Sequence, residues 1–346
     1  MALNTQIIKT DGISIDKDTL YKAAEVLKNG GLVVFPTETV YGLGGDGTSE
    51  DAARKIYFAK GRPSDNPLII HISSPNEAEK YALTSATYYK LAKAFMPGPL
   101  TIILPKKDTI PFSVTGGLDS VAIRCPSHPI ARQLISAAEL PIAAPSANLS
   151  GKPSPTCAAH VIEDLMGRVD MIIDGGNCEI GLESTIVKLD GDTAILLRPG
   201  AITADALRCV CSSVEIAPSV LEQLKENERP LSPGMKYKHY APSVPLVLLD
   251  GERDAIIKFL KQEQANKKCA VLCYHEDLTL IENKNVIDIG EAHDLEMQAH
   301  ILFTALREAD NCGVDVIYAH LPSKSGIGLA LYNRMIRAAA HTVIRV

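Results

Sequence analysis

The stretch KGRPSDNPLIIH (residues 60–71) joins a helical pattern to an apolar strand, and this junction indicates the type of fold. The preceding residues 49–61 have the apolar spacing of a helix, with Ser49 in the N-cap position. Two prolines then interrupt the chain before PLIIHI (67–72), which predicts a buried strand. A helix that leads into a buried strand is typical of an α/β protein.

The same alternation extends through the first 200 residues. Apolar runs predict strands at 32–36, 67–72, 100–105, 121–126, 140–145, 169–174, 184–189 and 194–199. Helical patterns occur at 16–31, 49–61, 85–95, 128–139 and 156–166. Because several strands follow one another closely enough to form hairpins, we expect a mixed sheet covered by helices.

The remaining residues predict a linker and a second domain. Residues 211–244 begin with an acidic helical piece and continue as a proline-rich segment, so we divide the chain into 1–210, a linker at 211–244, and 245–346. Strand and helix patterns alternate in the last part and predict a smaller Rossmann-like α/β domain. It lacks GxGxxG, and SKSGIG (323–328) lacks the spacing of a P-loop, so a structural or regulatory role is favoured for this domain.

Composition excludes several classes of protein. The chain has 346 residues, 46% of them hydrophobic, and a net charge of −6, which does not indicate a basic nucleic-acid-binding domain. No apolar run reaches the roughly 18 residues that span a bilayer, and the N-terminus lacks a signal-peptide pattern. The eight cysteines form no paired CxxC zinc motif and read as free thiols. We expect a cytoplasmic protein that does not associate with a membrane.

Lys60 and Arg62 are the first candidates for chemistry. Side chains two residues apart in an extended segment point the same way, so this pair is expected to present two charges to an anionic ligand. The alternative is a solvated charged loop, since a K-x-R pair is common by chance.

Polar residues also follow several predicted strands. Ser146 and Asn148 follow the strand at 140–145, and Thr37 and Glu38 follow the strand at 32–36. Ligands of open α/β sheets bind at the carboxyl ends of strands, where such groups could contact a phosphate or ribose. Ordinary turn chemistry is an equally good interpretation.

Further candidates lie within or beside the strands. Arg124 and Arg198 end apolar strands and suit either a ligand or a buried structural ion pair. His71 suits a ligand site or a buried core position. Glu183 and Ser184 follow a glycine and could bind the polar groups of an amino acid or cap a strand. These residues alone do not identify a reaction.

Eight motifs, taken together, resemble the two-domain form of the threonylcarbamoyl-AMP synthases in order and spacing. They are FPTETVYGLG (35–44), KGRPSDNPLIIH (60–71), PGPLT (97–101), AIRCPSHP (122–129), PIAAPSANLSGKPSPT (141–156), GLESTIV (181–187), LLRPG (196–200) and SPGMKYKHYAP (232–242). The YrdC-like part of the resemblance covers about residues 12 to 208, and the smaller partner domain covers the remainder.

The resemblance implies an open twisted sheet around a large, positively lined cavity. It also implies a nucleotidyltransferase reaction in which L-threonine, bicarbonate and ATP give threonylcarbamoyl-AMP and pyrophosphate. This product is the activated intermediate for threonylcarbamoyladenosine in tRNA, so a downstream tRNA threonylcarbamoyl-transfer machinery is an implied partner. No carboxylate pair indicates a protein-built metal site, and Mg²⁺ is expected to be carried on ATP.

The resemblance further implies the roles of individual residues. Lys60 and Arg62 match the family's K-x-R pair and are the catalytic candidates that face the ATP phosphates, with Ser146 and Asn148 as the S-x-N partner. The remaining nucleotide-side residues are Ser64, Thr156 and Arg198. The threonine-side residues are Thr37, His71, Arg124 and Ser184.

The linker carries KYKHY (236–240), which a simple tether between domains does not need. A site that holds a labile acyl-adenylate benefits from a cover that excludes water. We therefore expect this segment to fold over the site with His239 or Tyr240 near the nucleotide, the alternative being an exposed tether.

Two other functions fit parts of the sequence. Carbamoyltransferases of hydrogenase maturation share a YrdC-like part, but they resemble a longer chain with paired CxxC motifs that are absent here. An RNA-binding module would use the basic and aromatic residues of KYKHY, although the net negative charge disfavours direct binding of tRNA.

Overall fold

The structure is a computed structural model that describes residues 3–222, 239–281 and 284–346. The described residues separate into two units. One is formed by residues 3–150, 154–179 and 183–222, and the other by residues 151–153, 180–182 and 239–346. The first, N-terminal unit carries every predicted site residue except His239 and Tyr240.

The described residues of the N-terminal unit form a mixed sheet flanked by helices. Its strands are β1 (Gln6–Lys9), β2 (Val33–Phe35), β3 (Gly42–Asp46), β4 (Ile69–His71), β5 (Leu100–Pro105), β6 (Ser120–Arg124), β7 (Ile142–Ala143), β8 (Met171–Asp174), β9 (Thr185–Asp190), β10 (Thr193–Arg198) and β11 (Ser213–Ile216). Its α-helices are α1 (Lys17–Lys28), α2 (Glu50–Lys60), α3 (Ala86–Phe95), α4 (Phe112–Thr115), α5 (Pro129–Ala138), α6 (Ala158–Leu165) and α7 (Ala204–Arg208). Short 3₁₀ helices lie at Pro75–Lys80 and Pro218–Val220.

The strand order is β1-β8-β2-β3-β7-β4-β6-β5-β9-β10-β11. Both parallel and antiparallel pairs occur along it; for example, β4 and β6 are parallel, whereas β5 and β6 are antiparallel. Helices α1 and α5 bury their apolar residues in one core cluster with the sheet, in which Leu27 and Leu134 lie with Phe35 and Ile173. The predicted mixed sheet is therefore confirmed.

Helix α2 ends at the start of the stretch KGRPSDNPLIIH (60–71). The Ser49 side chain caps its start by accepting the Ala52 N–H at 3.2 Å, and Gly61 ends it in the left-handed region with φ 61°. Lys60 is thus the last residue of a helix. The prediction that Lys60 and Arg62 share an extended segment was wrong, because the turn at Gly61 separates them.

The C-terminal unit is a parallel α/β sheet. Its strands are β12 (Leu246–Asp250), β13 (Cys269–Cys273), β14 (Val286–Asp288), β15 (Val316–His320) and β16 (Val343–Arg345), in the order β14-β13-β15-β12-β16. Its helices are α8 (Arg253–Asn266), α9 (Leu295–Asp310) and α10 (Gly328–Ala338), with a 3₁₀ turn at His275–Asp277. Every adjacent pair of strands is parallel, which confirms the predicted Rossmann-like α/β unit.

Some elements differ from the sequence prediction. The segment after residue 210 was predicted to begin with an acidic helical piece. Its first residues instead form strand β11 (Ser213–Ile216), which pairs with β10 at the edge of the large sheet, and residues 223–238 lie outside the described residues. The sheet therefore continues beyond residue 210. Residues 151–153 and 180–182 group with the C-terminal unit although they lie far from it in sequence. Across the described residues, no helix is long and apolar enough to cross a membrane.

Candidate active site

Five neighbouring strands of the N-terminal sheet place one residue each in a single row. His71 of β4 is the register partner of Arg124 of β6, and Arg124 is the partner of Thr101 of β5. Thr101 and Arg198 of β10 are both partners of Ile186 of β9, and the register of β9 and β10 shifts between Leu196 and Arg198. Register partners project from the same face of a sheet, so these side chains stand side by side. We call His71, Arg124, Thr101, Ile186 and Arg198 the row.

The row continues an apolar cluster on the same face of the sheet. Ile69, Ala122 and Ile103 lie two residues from His71, Arg124 and Thr101 along their strands, and they pack in one buried cluster with Ile186 and Leu197. Because residues two apart share a face, each strand changes from apolar to polar at the same end. This change places polar side chains at one boundary of the core.

Arg124 and Glu38 form a buried ion pair. Arg124 Nη2 donates to Glu38 Oε1 at 2.8 Å, and both side chains are about 5% exposed. Glu38 Oε2 accepts the Ser127 backbone N–H at 3.2 Å. Arg124 Nε is buried and makes no hydrogen bond among the described residues. Glu38 follows a predicted strand, but no role for it was predicted from the sequence.

His71 is neutral in the folded protein. Burial lowers the pKa of His71 from 6.5 to about 3, with a smaller contribution from the nearby Arg124 guanidinium. Nδ1 of its ring lies 3.1 Å from the Ile69 carbonyl oxygen. The positive charge at this end of the row is therefore carried by Arg124.

Ser184 links the other end of the row to its centre. Arg198 donates from Nε to the Ser184 carbonyl oxygen at 3.0 Å and from Nη2 to Ser184 Oγ at 3.1 Å. The same Oγ lies 2.7 Å from Thr101 Oγ1. The structure thus brings together Ser184, predicted on the threonine side, and Arg198, predicted on the nucleotide side. Thr37 is buried and closes a turn by donating to the Val40 carbonyl oxygen at 2.6 Å.

Lys60 is buried at the end of α2, with 2% of its surface exposed. Its ammonium donates to the carbonyl oxygens of Ser146 and Asn148, the latter at 2.5 Å. Burial, followed by the Arg62 guanidinium, lowers the pKa of Lys60 well below 10.5, whereas Asp164 and Glu183 act in the opposite direction. Lys60 therefore does not lie in the extended segment that was predicted from the sequence. The structure does, however, bring the K-x-R and S-x-N motifs together.

The neighbouring motif residues also bond within the chain. Ser146 Oγ donates to Asn148 Oδ1 at 2.5 Å, and the Asn148 amide donates to the Leu149 carbonyl oxygen at 2.7 Å. Arg62 is buried and donates to the carbonyl oxygens of Asn66 and Pro67, so it stabilises its own loop. Exposed Ser64 lies within this loop.

Three predicted nucleotide-side residues contact neither the row nor the K-x-R and S-x-N motifs in the hydrogen bonds and ring contacts given below. The Thr156 backbone N–H donates to His160 Nδ1 at 3.3 Å. Tyr240 belongs to the C-terminal unit, where its ring stacks on Phe303 at 5.4 Å and lies next to His239. Residues 223–238, which include most of KYKHY, lie outside the described residues, so the predicted cover remains a prediction.

Comparison with known proteins identifies the family. A family model described as "Telomere recombination" matches residues 25–200, and one described as "Threonylcarbamoyl-AMP synthase, C-terminal domain" matches residues 202–340. The threonylcarbamoyl-AMP synthase of Bacillus subtilis is 45% identical over 97% of both chains. That of Pyrococcus abyssi is 44% identical over 94% of this chain and 95% of its own. The chain belongs to the threonylcarbamoyl-AMP synthase family.

Solved structures of this family have the same fold. Sua5 from P. abyssi in complex with L-threonine superposes with a TM-score of 0.89 at 42% identity, covering 99% of both chains. A variant of that protein, with an adjacent histidine and tyrosine replaced by alanine, superposes with a TM-score of 0.91 at 42% identity, covering 99% of this chain and 98% of its own. The resemblance predicted from eight motifs is confirmed, and these matches support neither the carbamoyltransferase nor the RNA-binding alternative.

A groove of about 1110 Å³ is lined by residues such as Tyr21, Lys55, Phe58 and Arg168, and its lining includes none of the predicted site residues. Within the described residues, no group of three or more His, Cys, Asp or Glu side chains could hold a metal ion. The predicted cavity at the site and the Mg²⁺ carried on ATP remain predictions.

The buried ion pair yields a prediction about stability. Glu38→Gln should lower the free energy of unfolding by about 3 to 5 kcal/mol, because it leaves the buried Arg124 charge without its counter-charge. The control is Asp205→Asn. Asp205 pairs with Arg208 on the exposed surface, so this substitution should lower the free energy of unfolding by less than about 1 kcal/mol. Urea denaturation measures both, and equal losses would mean that burial of the Arg124–Glu38 pair has no energetic weight.

The neutral His71 yields a prediction about pH. The unfolded chain binds a proton at this histidine below pH 6.5, whereas the folded chain does so only near pH 3. As the pH is lowered from 6.5 to 3, the free energy of unfolding should therefore decrease. This group contributes a decrease of up to about 1.4 kcal/mol per pH unit. His71→Gln should lose less stability than the wild type from pH 6.5 to 4 in urea denaturation. Parallel profiles would contradict the assignment.

Proposed function

We propose that the protein synthesises L-threonylcarbamoyl-AMP and pyrophosphate from L-threonine, bicarbonate and ATP, for threonylcarbamoyladenosine in tRNA. The observation that carries the proposal is the match, over almost the whole length of both chains, to relatives named threonylcarbamoyl-AMP synthase. The L-threonine complex of the P. abyssi relative supports threonine as a substrate. As part of the same proposal, the reaction occurs in the cytoplasm, and its product passes to a tRNA threonylcarbamoyl-transfer machinery.

The geometry suits a reaction between anions. In the proposed mechanism the threonine amine and bicarbonate combine to give a carbamate with loss of water, and a carbamate oxygen then attacks the α-phosphorus of ATP. The new O–P bond forms as the bond to pyrophosphate breaks, so no covalent enzyme intermediate is required. The protein needs to position two anions and offset their charge. Buried cations in a site of low dielectric serve this purpose, because they are already oriented before the substrates bind.

Each side of the proposed site has its own cation. On the threonine side we assign Thr37, His71, Arg124 and Ser184, and the Nε of Arg124, which has no hydrogen-bond partner among the described residues, suits the substrate carboxylate. On the nucleotide side, Lys60 is held beside Ser146 and Asn148, and an arriving phosphate would favour its charged form. Arg62, Ser64, Thr156 and Arg198, with His239 and Tyr240, complete the proposed ATP contacts, and Mg²⁺ would bind the triphosphate.

The reaction itself is the first test. Release of pyrophosphate should require ATP and bicarbonate and should be fastest with L-threonine among single amino acids. The product should be an acyl-adenylate that incorporates label from bicarbonate. Equal release with unrelated amino acids would contradict the substrate, and absence of release with threonine would contradict the activity. Mg²⁺ is tested in the same assay by chelation with EDTA, which should stop release if the metal is carried on ATP.

Lys60→Met separates a catalytic role from a structural one. It should change the free energy of unfolding by less than about 1.5 kcal/mol, because removing a desolvated charge offsets its lost hydrogen bonds. Pyrophosphate release should fall by about 100-fold or more. The control is Lys55→Met on the same helix, where an exposed lysine also donates to a backbone carbonyl, that of Gly30. A large loss of stability with undiminished release would make Lys60 structural.

A further inference from the structure

The PGPLT motif (97–101) ends at a residue with no role in the predicted site. Thr101 stands at the centre of the row, between Arg124 on one side and Ile186 on the other. It is fully buried, and its hydroxyl lies 2.7 Å from the Ser184 hydroxyl. A buried threonine hydroxyl needs a hydrogen-bond partner. Here that partner is Ser184, which is itself a predicted substrate contact.

The Ser184 hydroxyl is shared between two side chains. Arg198 Nη2 donates to it at 3.1 Å, which occupies one of its two lone pairs. The bond to Thr101 takes either its proton or its second lone pair. In both arrangements Thr101 fixes the direction of the Ser184 hydroxyl. The oxygen of that hydroxyl accepts the hydrogen bond from the Arg198 guanidinium.

We propose that Thr101 is a positioning residue, which orients Ser184 and through it Arg198 for substrate binding. The inference rests on the proposed function, in which Ser184 contacts threonine and Arg198 contacts the nucleotide. One hydroxyl then sets the geometry of both halves of the site. Loss of that hydroxyl weakens the binding of both substrates, whereas a hydroxyl that only stabilised the strand would affect folding alone.

Three substitutions test the proposal. Thr101→Val keeps the shape of the side chain and removes the hydroxyl, and kcat/KM for pyrophosphate release should fall by about tenfold, mainly through higher KM for L-threonine and ATP. Thr101→Ser restores the hydroxyl and should return kcat/KM to within about twofold of wild type. The matched control is Thr115→Val, since Thr115 is equally buried but donates to the Leu118 carbonyl oxygen, away from the row. It should lose comparable stability with unchanged kcat/KM.

A double-mutant cycle tests the route through Ser184. In a Ser184→Ala background, Thr101→Val should change kcat/KM by less than about twofold, because the hydroxyl that it positions is gone. A tenfold loss in that background, or an active Thr101→Val in the wild-type background, would overturn the inference. If Thr101→Val does not fold, Thr101→Ala takes its place in the cycle.

Binding measurements separate this inference from the proposed function. Calorimetric titration of wild type and Thr101→Val with L-threonine and with ATP should show weaker binding of both ligands to the variant. If the wild type binds both but releases no pyrophosphate, the proposed activity fails while the positioning role is still decided by the two affinities. Equal affinities in wild type and variant would overturn the positioning role whatever the activity.

Discussion

The register of five strands is the constraint on which the candidate site depends. The row draws its members from residues 71 to 198, and only the pairing of β4, β6, β5, β9 and β10 aligns them. A slip of one residue in any strand would turn its member of the row to the opposite face. The apolar cluster beneath the row prevents this, because the same slip would expose residues such as Ile69 or Ile103. Apolar packing therefore decides where the charged groups stand.

Three buried basic side chains of the candidate site are accommodated in three different ways. Arg124 is paired with Glu38, His71 is kept neutral by burial, and Lys60 is surrounded by backbone carbonyl oxygens. A buried cation costs free energy unless it is paired or hydrogen-bonded, so each arrangement limits that cost before any substrate is present. Under the proposed function, an anionic substrate would add the missing counter-charge, and its binding would further stabilise the folded protein.

Sequence patterns found the strand ends but not every contact between them. His71, Arg124 and Arg198 were foreseen as candidates because each is a polar residue at the end of an apolar run. Thr101 was not, because a β-branched threonine inside such a run reads as an ordinary strand former. Strand β3 escaped notice because GLGGD offers no alternating side chains. The helical pattern at 49–61 was confirmed by α2, but Lys60 and Arg62 were wrongly placed in one extended segment, because Gly61 turns the chain between them in the left-handed conformation. The family resemblance supplied the reaction, which none of these patterns contains.

The wide separation of the row along the chain has a consequence during synthesis on the ribosome. The strands of the row are adjacent in the sheet, but the last of them, β10, ends at residue 198. At bacterial or eukaryotic elongation rates this strand follows the N-terminus by about 10 to 40 seconds. Until it emerges, Ile186 has no β10 partner and Ser184 lacks its hydrogen bonds from Arg198. Under the proposed function, premature termination products that end before β10 would lack one cation of the site, without any separate check on chain length.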